Sequence, residues 1–454
     1  MADILLGQSA ADTYFTNAYS GYRLKDYSTC AVTDSITLKL EPIGPATCPK
    51  CGQPCYKFHS MSEREVRCAP RDGFQRTTIV FPLRRVRCAC GSKANEVIAW
   101  LVPHSRITNK LAAVVQADLR AGATCSSVAG KYHIDWTVAK RLDKEQLQLC
   151  FSDIDLSQTK HLIMDEFSIS KGHRYATVIM DADTHQVIFV CKGKSGKEVK
   201  VFFEMLQQKG YAGNIRSVAM DMNACFPSLV REYLPNAVVL YDGFHVLQMF
   251  TRDVLVAAKK LCQERVLESL CGKALNAARR LLASAQWVLV KPQDELDERE
   301  FDKLRKLREH NQLLNDLYPL ADMIRNLWKC KNKQEAARLL ENLRRLCLAI
   351  ANAHNFEPAR TFAKMLKRRA CGIIEVGRFG FSSCPLEGAN NKIKVLKRIA
   401  YGFRDFEYFR LKIHSILPGK TKNLYKSLTS SFAVLKDSII KCCFHVRCFH
   451  AHSR

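Results

Sequence analysis

Apolar and polar positions along this chain follow two periods, and the change of period divides it. From Lys160 to Phe244 three apolar runs, Leu162-Ile-Met, Val218-Ala-Met and Val238-Val-Leu-Tyr, each stop at an aspartate: Asp165, Asp221 and Asp242. Short apolar runs with polar boundaries predict buried strands. Two further strands, Tyr175 to Met180 and Gln186 to Val190, an amphipathic helix around Glu198 to Gln208 and a short helix around Ser228 to Tyr233 fill the gaps, giving the order β-β-β-α-β-α-β. From 245 to about 372 apolar residues recur at helical spacing, as in Ala336-Ala-Arg-Leu-Leu-Glu-Asn-Leu-Arg-Arg-Leu346, which predicts a helical insertion. Another helix is expected from about Leu386. Upstream, runs such as Thr77-Thr-Ile-Val-Phe81 predict a small strand-rich segment between Cys48 and Trp100, and Ile107 to Cys150 reads as helical. Residues 1 to about 45 show no sustained period and end in Glu41-Pro-Ile-Gly-Pro45, a linker or turn.

Composition narrows the class. The 454 residues, 47% of them hydrophobic, suffice for about three domains at roughly 150 residues each and exclude collagenous and wholly disordered chains. Seventy Lys and Arg against forty-four Asp and Glu give a formal net charge of +26, which favours a polyanionic partner over a neutral small molecule. The apolar runs are too short for a membrane span, and the first residues lack a secretory pattern. Twenty cysteines in such a chain, some at metal-ligand spacing, suit a reducing cytosolic compartment with partly metal-bound thiols.

Cys48-Pro-Lys-Cys51-Gly and Cys88-Ala-Cys90-Gly are two thiol pairs that can offer four soft ligands to one tetrahedral zinc, with Cys55, His59 and Cys68 as rival ligands. Farther on, residues 125–141 read as a helix-turn-helix: a short helix containing Val128 and Ala129, a turn near His133, and a second helix with Asp135 as N-cap. Trp136, Thr137, Lys140 and Arg141 then face a DNA groove or its phosphates; two helices of a structural bundle are the bland alternative.

The strand-terminal aspartates matter because open α/β sheets assemble their sites beyond the carboxyl ends of the strands. Three in one unit suit a hard cation, since magnesium takes a few carboxylates plus substrate phosphate oxygens. Glu166 follows Asp165 directly, and strand alternation points it to the other face. Glu387 is the best distant carboxylate to complete the set. On its helix Glu387, Asn391, Lys394 and Arg398 recur at i, i+4, i+7 and i+11 on one face, with Ile393, Leu396, Ala400 and Phe403 assigned to the core. A solvated helix face with aligned charges is the competing reading, and the upstream aspartates weigh against it.

The chain resembles bacterial insertion-sequence DDE transposases of the ISL-three family over residues 45 to 415. The resemblance rests on four ordered motifs: Met164-Asp-Glu-Phe-Ser-Ile-Ser-Lys-Gly-His-Arg-Tyr-Ala-Thr-Val, Ala219-Met-Asp-Met-Asn, Tyr241-Asp-Gly-Phe-His-Val-Leu, and Pro385-Leu-Glu-Gly-Ala-Asn-Asn-Lys-Ile-Lys-Val-Leu-Lys-Arg-Ile-Ala-Tyr-Gly-Phe-Arg-Asp-Phe. It implies an α/β ribonuclease-H-like catalytic core with a helical insertion, preceded by a zinc-binding segment and a helix-turn-helix. It makes Asp165, Asp221 and Glu387 the ligands of magnesium or manganese, and gives Asp242 and His245 a supporting role. Three features depart from the family pattern: the compact Cys88-Ala-Cys90 pair, Ser383-Cys384 in place of an Asn-Gly turn, and the Cys/His-rich end from Cys442 to His452.

The expected organisation is an N-terminal extension (1–44), a zinc-binding segment (45–103), a helix-turn-helix (104–150), the first part of the core (158–250), the insertion (251–372), the core completion with the glutamate helix (373–418) and a basic tail (419–454). The expected function is binding of double-stranded DNA at terminal inverted repeats, followed by two-metal strand cleavage and transfer into target DNA. Lys394 and Arg398 then neutralise phosphate charge, and the segment from Lys392 to Lys412, with Tyr401, Phe403, Phe406 and Phe409, grips the backbone. The resemblance further implies a homo-oligomer on paired ends, without membrane attachment, in the bacterial cytoplasm at the nucleoid. A DNA-binding repressor or inactive relic, and a metal-dependent nuclease or resolvase, fit part of the same pattern.

Overall fold

The computed structural model describes residues 19–419 except 72, 171, 173, 222–225, 242, 284 and 376–383. The chain divides into two compact units, Met1–Ser152 and Asp153–Arg454.

In the first unit, β1 (Tyr22–Cys30) and β2 (Ser35–Pro42) form a hairpin, and β3 (Ala46–Thr47) pairs with β4 (Pro54–Cys55). The strands β5 (Phe58–Cys68), β6 (Arg76–Arg87) and β7 (Lys93–Asn95) complete a sheet of order β1-β2-β6-β5 with β7 also on β6. Residues 22–42, expected within an extension, are thus two strands of the sheet. The reason is local: Ile36, Leu38 and Leu40 alternate onto one face and are buried with Val66, Ile79, Phe81 and Trp100. Three helices follow, α1 (Asn109–Arg120), α2 (Cys125–Tyr132) and α3 (Trp136–Phe151), around Leu111, Val115, Val128 and Leu142. His133 ends α2 in the left-handed conformation (φ 51°), and Asp135 caps α3 by accepting the Thr137 N–H at 2.7 Å.

The second unit has the element order that the apolar runs predict: β8 (His161–Ser170), β9 (Arg174–Asp181), β10 (Val187–Lys192), α4 (Gly196–Gln208), β11 (Ser217–Met220), α5 (Phe226–Tyr233) and β12 (Val238–Tyr241). The sheet order is β10-β9-β8-β11-β12, with β9 antiparallel to its neighbours and β8, β11 and β12 mutually parallel. One run is longer than expected: β8 continues past Asp165 to Ser170 because its hairpin with β9 extends that far.

After β12, α6 (Gly243–Met249) passes through a π-helical turn into α7 (Val256–Ser269). The helices α8 (Gly272–Leu282), α9 (Ala285–Val290), α10 (Glu298–His310), α11 (Gln312–Leu327), α12 (Lys333–Ala353), α13 (Glu357–Arg368) and α14 (Ala370–Ile374) make up the helical stretch, followed by α15 (Cys384–Ile399) and α16 (Phe406–Ile416). Strand alternation sorts the core. Leu162, Met164 and Ile179 face α4, α5 and the helical stretch, whereas Ile163, Phe167 and Val178 face Leu386, Ala389 and Ile393 of α15 and Phe409 and Ile413 of α16. Among the described residues no helix is long and apolar enough to cross a membrane.

Candidate functional site

The parallel ladder between β8 and β11 ends at Met164 opposite Met220. Asp165 and Asp221, the next residue on each strand, therefore emerge level with one another where the ladder ends. Alternation places Asp165 with Ile163 and Phe167, toward α15, and Glu166 with Met164 on the other side, where its carboxylate lies 3.9 Å from Lys194 Nζ.

The third carboxylate comes from α15. Its buried stripe of Leu386, Ala389 and Ile393 sits on the sheet, which turns Glu387, Asn390, Lys394 and Lys397 toward the aspartates. These residues, with Asp165, Asp221, His245 and also Glu166, border a cleft of about 440 Å³. The helix face differs from the expected one by a fraction of a turn. Asn391 and Arg398 are exposed and do not border the cleft; Asn390 and Lys397 take their places. Lys394 does border it, and its Nζ lies 3.3 Å from Asn391 Oδ1. Lys397 Nζ donates to the backbone carbonyl of Ser168, and burial together with Lys394 lowers its pKa.

Asp165 is the most enclosed of the three acids. Its Oδ2 accepts from Asn390 Nδ2 at 2.6 Å and its Oδ1 from the Glu166 N–H at 2.7 Å. Burial raises its pKa; the Glu166 N–H and His245 pull it back, Asp221 adds to the rise, and Asn390 opposes it. His245, carried by α6, places Nδ1 3.5 Å from Asp221 Oδ1. Asp242 lies outside the described residues. Asp165, Asp221 and Glu387 are hard oxygen donors lining one cleft, the donor type that a divalent cation of the magnesium or manganese class takes, although among the described residues only the four cysteines stand close enough together, as they are, to hold one ion.

The cysteines make a second centre. Cys48, Cys51, Cys88 and Cys90 bring their sulfurs within 4.8 Å of one another, with Cys48 to Cys90 at 3.7 Å and Cys51 to Cys88 at 3.5 Å. Each pair sits on a turn closed by backbone hydrogen bonds: Gly52 N–H to Cys48 O, and Gly91 N–H to Cys88 O, both 3.0 Å. Gly52 (φ 71°) and Gly91 (φ 83°) adopt the left-handed backbone that lets the chain turn back. The N–H groups of Cys51 and Lys50 lower the Cys48 thiol to about 6, and the Cys90 N–H lowers Cys88. Cys51, although the Gln53 N–H pulls it down, is pushed up to about 12 by the neighbouring thiols. Four crowded sulfurs with N–H groups aimed at them fit zinc. The rivals are placed elsewhere: Cys55 is buried beside the cluster with its thiol toward Gln53 O, Cys68 accepts from the Thr108 hydroxyl, and His59 is exposed.

At the start of α3, Trp136 is 52% exposed, and Lys140 Nζ lies 5.9 Å from the centre of its ring. The Thr137 hydroxyl donates to Asp135 and thereby belongs to the cap, while Arg141 lies 3.9 Å from Glu145. The aromatic residues after α15 serve the core more than the surface. Phe403 stacks on the buried Phe409 at 4.6 Å, Phe406 packs against the same ring, and only Tyr401 of the four is fully exposed. The Cys/His-rich end lies outside the described residues.

A family model of DDE type for ISL3 elements, described as "Transposase", matches residues 162–413. The transposase of insertion sequence element IS1001 from Bordetella parapertussis is 33% identical over 395 residues, covering 86% of this chain and 93% of that protein. The transposase of IS1557 from Mycobacterium tuberculosis is 24% identical over 342 residues, 72% of each chain. A chain of the Drosophila P element transposase strand transfer complex aligns at a TM-score of 0.35 and 8% identity, covering 70% of this chain and 92% of its own.

Proposed function

Since the chain belongs to the ISL3 (ISL-three) family of DDE transposases, enzymes that act on DNA, we propose that it binds the terminal inverted repeats of its own insertion sequence and cuts and joins DNA in the cleft of Asp165, Asp221 and Glu387. The observation that carries this reading is the meeting of those three carboxylates with Lys394 and Lys397 around one cleft. The sheet order, with a single antiparallel strand flanked by parallel ones and α15 laid over Asp165, supports a ribonuclease-H-like core.

Asp165, Asp221 and Glu387 would hold magnesium or manganese, and such ions would supply Lewis-acid chemistry for in-line displacement at phosphorus. The protein's own contributions are separable. Asp165 is fixed by two hydrogen bonds before any ligand arrives. His245 steadies Asp221 from α6. Lys394 and Lys397 border the cleft and would offset charge that grows on a phosphate bound there.

End recognition falls to residues 45–150. Zinc on the four cysteines holds the strand-rich segment, and α3 presents Trp136, Lys140 and Arg141 to DNA as the second helix of a helix-turn-helix. The net charge of +26 supports salt-sensitive binding to the double helix, terminal repeats and target alike. The enzyme works as a homo-oligomer on paired ends, in the bacterial cytoplasm at the nucleoid.

The test is an assay of the purified protein on DNA carrying the flanking ends of its element, with magnesium, with chelator, and with Glu387→Gln. Metal-dependent joined products that vanish in the variant support the transposase reading. Cleavage without joining would make the protein a nuclease or resolvase, and binding without breakage under every condition a repressor or relic.

A further inference from the structure

Asn390 is the one polar residue among the four that α15 turns toward the cleft to be buried, at 8% exposure, and it stands beside Ala389 in the stripe that packs on the sheet. Its amide is oriented by chemistry. An ionised carboxylate only accepts, so the 2.6 Å contact with Asp165 Oδ2 is a hydrogen bond from Nδ2. That assignment leaves Oδ1 on the other branch of the amide, buried and without a hydrogen-bond partner among the described residues. A desolvated carbonyl without a donor is costly, so a buried asparagine here calls for a reason.

An asparagine kept only for packing has no reason to be polar here. Its neighbours on the stripe, Leu386, Ala389 and Ile393, are apolar, and a leucine would fill similar space without a stranded carbonyl. The cost is explained if the amide is kept for its hold on Asp165. We infer that Asn390 is a positioning residue of the cation site, in which Nδ2 fixes the Asp165 carboxylate in the orientation a cation would meet. This rests on the reading of Asp165 as a cation ligand. Outer partners of this kind orient the inner ligand, and their loss typically weakens binding roughly 10–100-fold.

The experiment is a titration of the full-length, zinc-loaded protein with manganese, without DNA, followed by the electron paramagnetic resonance signal of free manganese. Wild type is compared with Asp165→Asn, Asn390→Leu and Asn390→Ala, and thermal melting is recorded for each. The expected result is that Asp165→Asn abolishes binding, while both Asn390 variants weaken it roughly 10–100-fold and Asn390→Leu melts no lower than wild type. A merely structural asparagine gives the opposite pattern, a lowered melting temperature with unchanged manganese affinity, and overturns the inference. The alanine variant covers the case in which leucine does not fit. If Asp165→Asn binds manganese as wild type does, the cation site itself is misplaced, and the inference falls with it for that separate reason.

Discussion

Gly243 lies so close to Trp328 that a β-carbon on it would fall 2.4 Å from Cδ2 of the indole. Gly243 opens α6, which carries His245 to within 3.5 Å of Asp221. Trp328 stands at the C-cap of α11, in the helical stretch between β12 and α15. The helices that interrupt the core in sequence therefore fix the helix that reaches its second carboxylate.

Gly243→Ala should displace α6 and loosen His245 from Asp221. Misplacement of a site group by about 1 Å can cost on the order of 10²-fold in rate, and a loss of that size in end cleavage is expected. Trp328→Ala added to Gly243→Ala should recover part of it, because the double variant removes the collision. Losses that simply add would show that the two residues do not act through one contact.

Removing zinc should loosen the strand-rich segment while leaving the second unit intact. The buried cluster beside the cysteines contains only Ala46, Cys48, Cys55 and Val86, with Cys88 packed against it, so little apolar burial replaces the metal. Cys51→Ser should lose bound zinc and end binding, and Cys55→Ser should keep both. Zinc content measured beside a DNA-binding isotherm decides this, and zinc loss from the Cys55 variant would reassign the ligand set.

Arg84 and Glu96 form a buried ion pair in the first unit, with side chains 6% and 2% exposed and Nη2 to Oε2 at 2.5 Å. Glu96 also accepts from the Tyr22 hydroxyl at 3.0 Å. Glu96→Ala strands a buried guanidinium, so it should destabilise this unit by about 3–5 kcal/mol in denaturant unfolding. Converting both partners to apolar residues, Arg84→Met with Glu96→Leu, should restore most of that stability. A cost for Glu96→Ala near zero would mean that Arg84 finds water or another acceptor.

His414 gives the second unit an acid sensitivity. Nδ1 donates to Val187 O at 2.9 Å, and burial lowers its pKa to about 4 from 6.5. The unfolded chain thus takes up the proton first as pH falls. The stabilisation is complete above about pH 6.5 and is lost progressively as pH drops to about 4, by about 3 kcal/mol. His414→Asn should flatten the difference in unfolding free energy across that window relative to wild type. Parallel pH profiles for the two proteins would show that His414 does not titrate in this range.

The sequence makes the aspartates legible because each ends an apolar run, and strand ends are where open sheets gather side chains. A period of two points Asp165 and Glu166 to opposite faces of the strand, yet Glu166 also lines the cleft. The glutamate helix is harder. Of the expected core stripe, Ile393, Leu396 and Phe403 do join the core and only Ala400 is exposed, but Leu386 and Ala389 widen the buried side of the helix; since a helix turns by about 100° per residue, that wider arc brings Asn390 and Lys397 to the cleft in place of Asn391 and Arg398. The apolar side chain at Ala389 is too small to announce a buried face, and a buried asparagine beside it reads as surface. Phe403, Phe406 and Phe409 read as part of a segment that grips the DNA backbone for the same reason: interleaving with cations does not reveal that Phe409 is buried in the core.

The exchange of Lys397 for Arg398 has a functional consequence. Lys397 borders the cleft, with its ammonium resting on the Ser168 carbonyl, whereas Arg398 is exposed on a neighbouring face. A partly desolvated cation beside the reacting phosphate strengthens its hold as charge develops, because the surrounding dielectric is low. Lys397→Ala should therefore slow strand transfer on the order of 10²-fold at saturating DNA. Arg398→Ala should leave the chemical step unchanged while weakening binding and reducing its salt dependence, as the loss of a single phosphate contact does. Single-turnover rates on pre-nicked ends, taken together with affinity at two salt concentrations, distinguish the two. If Arg398→Ala slows chemistry while Lys397→Ala does not, then the face of α15 that meets DNA is the one set by Glu387, Asn391 and Arg398, and the orientation of the helix in the working complex differs from the one described above.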